Sequence, residues 1–328
     1  MFAGLLNKGV RGSLVLLSVV FVISAIALYF APKSLEFNNY PNVFYNYFSQ
    51  KITNRAFILL LNFLFVGLGV VLVSLISVKQ EVVDKLNYFP VFIFLLLSIV
   101  CVNPNQLTPQ IITNVFVLYS IYKLLDTYRK ENVLSQLFEA AFWLSISAYI
   151  TISSVISFPL FFIILLVLRP FYWRDWAIAI LGFLAPILIC ESIAYLSDFS
   201  QWYLFKSIGL FLQFLKSPSF SEYFLPLVCF LVITLLISIF QSLSRGFGNT
   251  VKKQKTKTIL FWFLFFSTFG FFASGANSSS IILTYAFPLS FFIGDFLFGM
   301  KQTKIANTLL TFFLLCLLVV FLGEFDLI

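Results

Sequence analysis

The chain has 328 residues, of which 61% are hydrophobic, 20% aromatic and only 10% charged, with 45 phenylalanines. Soluble domains carry roughly 45–50% apolar and 25% charged residues, so 21 bases and 13 acids are too few to clothe a water-facing surface. With a mean hydropathy of +1.01, this composition excludes a soluble protein and predicts an all-α polytopic transmembrane bundle, one integral membrane domain over 1–328.

The first apolar run is Ser13 to Phe30. Lys8 and Arg11 precede it and Ala25-Ile26-Ala27 resembles a small-residue cleavage site, so a secretory signal competes with a membrane span here. The segment Ala31 to Arg55 sets Tyr40, Phe44, Tyr45, Tyr47 and Phe48 among asparagines, reads as interfacial, and holds a single acid, Glu36. Next comes Ala56 to Val78, in which Gly67 and Gly69 permit close helix packing. Phe89 to Val102 and Thr108 to Leu125 are divided by Asn103-Pro104-Asn105.

The stretch Leu134 to Leu168 would be about 52 Å long as one helix, too long for one crossing of a bilayer core of about 30 Å. Basic residues sit at both of its ends, Arg129 and Lys130 before and Arg169 and Arg174 after. An even number of crossings is therefore required, which gives two runs, Leu134 to Thr151 and Ser153 to Leu168. Trp176 to Leu196 follows, with Pro186 inside it. Near 202–216, Leu204, Ile208, Phe211, Leu212 and Leu215 share one helical face and Lys206, Gly209, Gln213 and Lys216 another, predicting an interfacial amphipathic helix. The last runs are Tyr223 to Leu243, Ile259 to Ser274, Ile281 to Met300 with Pro288 inside it, and Ile305 to Leu322.

Eleven runs predict about eleven transmembrane helices. Placing the N-terminus in the cytoplasm puts 16 of the 21 bases on that side, as the positive-inside rule requires, and leaves the C-terminus periplasmic. The +8 net charge thus reads as orientation. Because the bases are spread over topogenic loops, no nucleic-acid partner is expected. The tightest basic cluster, Lys252, Lys253, Lys255 and Lys257, predicts contact with anionic membrane lipid.

Catalytic chemistry is constrained by the absence of histidine, the commonest metal ligand and usual general base near neutral pH. Cys101, Cys190, Cys229 and Cys316 are far apart, have no CxxC spacing and read as small apolar side chains. No metal and no cofactor is expected. Ionisable groups within the bilayer are costly, which singles out Glu139, Glu191 and Asp295. They are proton or cation sites, hydrogen-bond anchors for a polar headgroup, structural partners of nearby Lys123, Arg129 or Arg169, or groups reaching the interface. Arg169 and Arg174, set among Phe171, Tyr172, Trp173 and Trp176, have the composition to hold an anionic headgroup or phosphate, and equally that of a cytoplasmic aromatic belt.

The segment Leu137-Phe138-Glu139-Ala140-Ala141-Phe142-Trp143, the Ser/Thr-rich turn at Thr151 to Ser157, and Leu168-Arg169-Pro170-Phe171-Tyr172-Trp173-Arg174-Asp175-Trp176 resemble an uncharacterised multipass membrane family of Bacteroidota. The resemblance centres on Asn103 to Leu196. It implies a multipass protein of the cell inner (cytoplasmic) membrane and no particular reaction.

The leading functional expectation is a role in envelope glycan or lipid-linked sugar metabolism, as an enzyme or an accessory resembling multipass glycosyltransferases and polymerases. Glu36 is then the candidate catalytic acid, and Lys51 and Arg55 are placed to meet a phosphate. The alternatives are a transporter or flippase using the three intramembrane acids, and a non-catalytic scaffold packed against a membrane protein partner.

Overall fold

A computed structural model describes residues 10–30, 52, 54–79, 87–196, 222–244, 251–273, 278–300 and 302–324. Glu36, Lys51 and the amphipathic segment near 202–216 lie outside the described residues. The described chain forms eleven α-helices: α1 Val10–Phe30, α2 Arg55–Lys79, α3 Phe89–Val100, α4 Pro109–Leu125, α5 Leu134–Ile150, α6 Ser157–Leu168, α7 Trp173–Leu196, α8 Leu225–Ser244, α9 Val251–Ala273, α10 Ser278–Phe298 and α11 Thr303–Glu324. Two 3-10 turns, Ile152–Ile156 and Glu222–Phe224, precede α6 and α8. Each helix coincides with one apolar run. The predicted break in Leu134 to Leu168 is the 3-10 turn, and the break at Asn103-Pro104-Asn105 is an irregular segment.

One boundary differs in kind. Helix α9 begins eight residues before its apolar run and carries the whole lysine cluster in its first two turns. Lysine is a good helix former, and hydropathy marks only where a helix turns apolar.

Four segments, Arg55–Val78, Trp173–Ile193, Glu222–Gln241 and Lys304–Gly323, are long and apolar enough to cross a membrane. They lie at the periphery, with large apolar side chains pointing away from the protein. On α2, Phe57, Leu60, Leu64, Leu68, Val71, Leu75 and Val78 form an exposed stripe along its length. Comparable faces occur on α7, α8 and α11. Soluble monomers rarely expose contiguous apolar patches beyond a few hundred Å²; hydrocarbon is the solvent that fits these faces.

The interior is built from shorter helices. Helix α3 is apolar all round, with Phe89 to Ile99 entirely buried, and it packs against α10, α2, α1 and α11. Its contact with α10 is close: a Cβ on Gly294 would lie 2.6 Å from Pro90 Cγ. Ala286, Ser290 and Gly294, spaced by four, are buried along α10, a ladder of small residues that lets backbones approach. Helices α4, α5 and α7 form a second layer, α5 lying between the other two. There Ala140, Ala141 and Ala179 are fully buried, and a Cβ on Gly182 would lie 2.6 Å from the Phe138 carbonyl oxygen.

Polar side chains fasten these contacts where apolar packing has no directional preference. Asn62, fully buried on α2, donates through Nδ2 to the Asn103 and Gln106 carbonyls, both at 3.1 Å, and accepts the Thr108 amide at 3.0 Å. It thereby clamps the α3–α4 connection. Asn87 Nδ2 donates to the Gly294 carbonyl at 3.2 Å, and Asn114 Nδ2 on α4 donates to the Leu283 carbonyl on α10 at 2.9 Å.

Candidate functional site

Charged side chains concentrate at one end of the bundle, where α4, α6 and α10 finish and α5, α7 and α9 begin. Glu139 on α5 accepts Tyr119 Oη at 2.7 Å and Lys123 Nζ at 2.9 Å, both from α4. Lys257 on α9, itself buried, donates to Asp295 Oδ2 on α10 at 2.8 Å. Arg169 Nε meets Asp175 Oδ2 at 3.2 Å, the two side chains only 11% and 7% exposed. This is a charge contact rather than an aligned hydrogen bond. Arg169 Nη1 also donates to the Lys130 carbonyl at 2.6 Å and, more weakly, to that of Thr127 at 3.4 Å. Lys255 Nζ donates to the Leu168 carbonyl at 3.3 Å. These cross-links set the ends of α4, α5, α6 and α9 at one level.

The three intramembrane acids are not brought together. Glu139 is neutralised by Lys123, the partner that sequence proximity suggested, and Asp295 by Lys257. Glu191, near the far end of α7, accepts Tyr149 Oη from α5 at 2.9 Å. Of the headgroup candidates, Arg169 is engaged by Asp175 and backbone carbonyls, Arg174 is exposed with its guanidinium 5.9 Å from the Trp173 ring centroid, and Arg55 Nη2 donates to the Leu28 carbonyl at 3.1 Å. Among the described residues, no group of three or more His, Cys, Asp or Glu is arranged to hold a metal ion.

The opposite half of the bundle holds a cavity of about 50 Å³ between α4, the α5–α6 turn, α9 and α10, with the apolar side chains of Val117, Ile156, Leu160, Phe263 and Phe266 among its walls. Its polar walls are Gln110, Thr113 and Asn114 on α4, Thr151, Ser154 and Ser157 at the turn, Ser267 on α9 and Thr284 on α10, and none of them is charged. Helix geometry places it: at 1.5 Å per residue, Asn114 stands about 17 Å above the end of α4 at Leu125, and Ser267 about 18 Å above Lys255. The cavity therefore sits well inside the bundle, away from the end that holds the ion pairs.

Short helices create this recess. Helix α6 has 12 residues and α5 17, about 18 and 26 Å of helix, each shorter than a hydrocarbon layer of about 30 Å. Irregular backbone at membrane depth is tolerated only where protein buries it or a water-filled cavity receives it. Protein buries Thr151 and Ser154 at the turn, and the cavity adjoins it. Thr151 Oγ1 donates to Thr113 Oγ1 at 3.0 Å, Ser147 Oγ to Ser154 Oγ at 3.1 Å, and Ser154 Oγ to the Thr151 carbonyl at 2.8 Å. Gln110 Oε1, on a side chain 9% exposed, is a buried acceptor without a protein partner, an arrangement costing about 1–3 kcal/mol unless water or a ligand donates to it. The space suffices for a few waters or for the hydroxyl-bearing edge of a larger molecule.

Sequence reasoning singled out the turn at Thr151 to Ser157 but not Gln110, Thr113, Asn114, Ser267 or Thr284 as one group. The available signal was polar residues spaced three to four apart within apolar runs, as Gln110, Thr113 and Asn114 are on α4.

An apolar periphery, a buried small-residue core and four helices long and apolar enough to cross a bilayer are those of a helical membrane protein. No protein-family model, no curated protein and no solved structure matches the chain.

Proposed function

We propose that the chain is an eleven-span protein of the cytoplasmic membrane, N-terminus inside and C-terminus periplasmic, that acts in envelope glycan or lipid-linked sugar metabolism as an enzyme or accessory. The ion-paired end is the cytoplasmic one, by the positive-inside rule, which turns the recess toward the periplasmic leaflet. The observation that supports the reading is the recess lining: amides and hydroxyls without a formal charge, set beside the apolar Val117, Ile156, Leu160, Phe263 and Phe266. Uncharged donors and acceptors complement the hydroxyls of a saccharide. At about 50 Å³ the cavity takes one hydroxylated edge of a sugar, while the remainder faces the opening.

The transport alternative rests on Glu139, Glu191 and Asp295, of which Glu139 and Asp295 are each paired with a lysine, Glu191 accepts Tyr149 Oη, and none lines the recess. Removing the chain from its host tests the proposal, read by mass spectrometry of surface glycans and lipid-linked saccharides. The expected result is an altered profile, reproduced by a Gln110→Leu/Asn114→Leu variant present at normal abundance in the membrane. An unchanged profile on complete removal overturns it.

A further inference from the structure

The charge pairing at the cytoplasmic end leaves a remainder. Lys123 is matched to Glu139, Lys130 to Asp126 at 2.6 Å, Arg169 to Asp175, and Lys257 to Asp295. Each of these acids is taken by a different base. Arg129 and Lys255 are not part of these pairs, and both lie beside one aromatic ring: the Arg129 guanidinium is 5.3 Å and the Lys255 ammonium 5.1 Å from the centroid of Tyr128. Among the described residues, neither has a carboxylate within ion-pair distance.

Two like charges gathered on one ring repel each other, and the cation–π attraction of each is worth only about 0.5–1 kcal/mol at exposed sites. Lys255 and the backbone that carries Arg129 are nevertheless held in place. Lys255 is anchored by the Leu168 carbonyl, and the loop carrying Tyr128 and Arg129 is tied to Arg169 through the carbonyls of Thr127 and Lys130. Arg129 itself has φ 60°. That left-handed position just past a helix end is one where glycine or asparagine is the usual occupant, yet the chain places a cation there.

We infer that Tyr128, Arg129 and Lys255 form a binding site for a phosphate group at the cytoplasmic membrane surface. A phosphate beside the Tyr128 ring that meets both cations gains two charge-assisted contacts. Arg169 contributes by building the site through the Thr127 and Lys130 carbonyls, since its own charge is already met by Asp175. The phosphate has two possible sources, the headgroup of an anionic bilayer lipid or a soluble phosphate.

Full-length protein in nanodiscs distinguishes them. Its thermal stability is measured in phosphatidylcholine alone, in phosphatidylcholine with 20% phosphatidylglycerol, and in phosphatidylcholine with inorganic phosphate, while retained lipid is identified by native mass spectrometry. The expected result is stabilisation and lipid retention with phosphatidylglycerol, lost in Arg129→Gln and Lys255→Gln, kept in Lys255→Arg and unaffected by Arg174→Gln. Stabilisation by inorganic phosphate with no phosphatidylglycerol preference assigns the site to a soluble phosphate. Equal behaviour of Arg129→Gln and Arg174→Gln overturns the site. Should Lys255→Gln fail to fold, Arg129→Gln decides alone, because that side chain is exposed and makes no backbone hydrogen bond.

Discussion

Asn62→Ala tests whether polar clamps hold this bundle together. The carboxamide of Asn62 is fully buried and serves three backbone groups of the α3–α4 connection, two carbonyls and one amide. Truncation leaves all three facing a space that water does not reach. At about 1 kcal/mol for each lost hydrogen bond, the expected destabilisation is about 3 kcal/mol. Asn62→Asp is expected to cost more, because it sets a carboxylate oxygen against two carbonyls in place of the donor. The assay is reversible unfolding of the purified protein in mixed micelles of increasing SDS fraction. The control is Leu68→Ala, which removes an exposed side chain from the apolar stripe of α2 and is expected to change stability by no more than about 0.5 kcal/mol. If Asn62→Ala were as stable as Leu68→Ala, the clamp would contribute nothing and the α3–α4 connection would owe its shape to apolar packing.

Backbone contact between helices gives a second prediction. A Cβ at Gly182 meets the Phe138 carbonyl, and one at Gly294 meets Pro90, each at 2.6 Å, whereas the nearest atom to a Cβ at Gly67 is 3.8 Å away. Gly182→Ala and Gly294→Ala are therefore expected to lose about 1–3 kcal/mol through overpacking, with Gly67→Ala close to wild type in the same assay; three equal values would remove the close-packing account. Topology gives a third. A single cysteine at Asn105 is expected to react with a membrane-impermeant thiol reagent from the periplasmic side and one at Gln302 from the cytoplasmic side, in a background lacking the four native cysteines; labelling of both from one side contradicts the orientation.

The helices were legible in the sequence because hydropathy reports directly on what the bilayer selects, and even the fold-back inside Leu134 to Leu168 followed from parity of the flanking bases. Partners were not. The pairing of Lys257 with Asp295 joins residues 38 positions apart, and Asn87 reaches Gly294 across 207; nothing in hydropathy encodes which spans are neighbours. In lipid, helix association depends on shape and on scattered polar groups rather than on apolar burial. The signals for it were small residues at four-residue spacing, Ala286, Ser290 and Gly294, and single amides such as Asn62. The recess was hidden for the same reason, because its walls come from four separate stretches of chain. Glu36, the catalytic candidate of the sequence reading, lies outside the described residues, and the recess supplies a second place to look.

Helix α3 also bears on how the protein is made. Its 12 residues amount to about 18 Å of helix, well short of the roughly 20 residues that span a bilayer. Alone in lipid, its end groups would be drawn below the headgroups on at least one side. Its proper environment is protein on all faces, and part of that environment, α10, is synthesised almost two hundred residues later. Insertion of α3 is thus expected to be provisional, its place in the centre secured only when the Gly294 face of α10 arrives. A chain truncated before α10 should be recognised by the membrane quality-control proteases as unfinished, although most of its hydrophobic segments are already present.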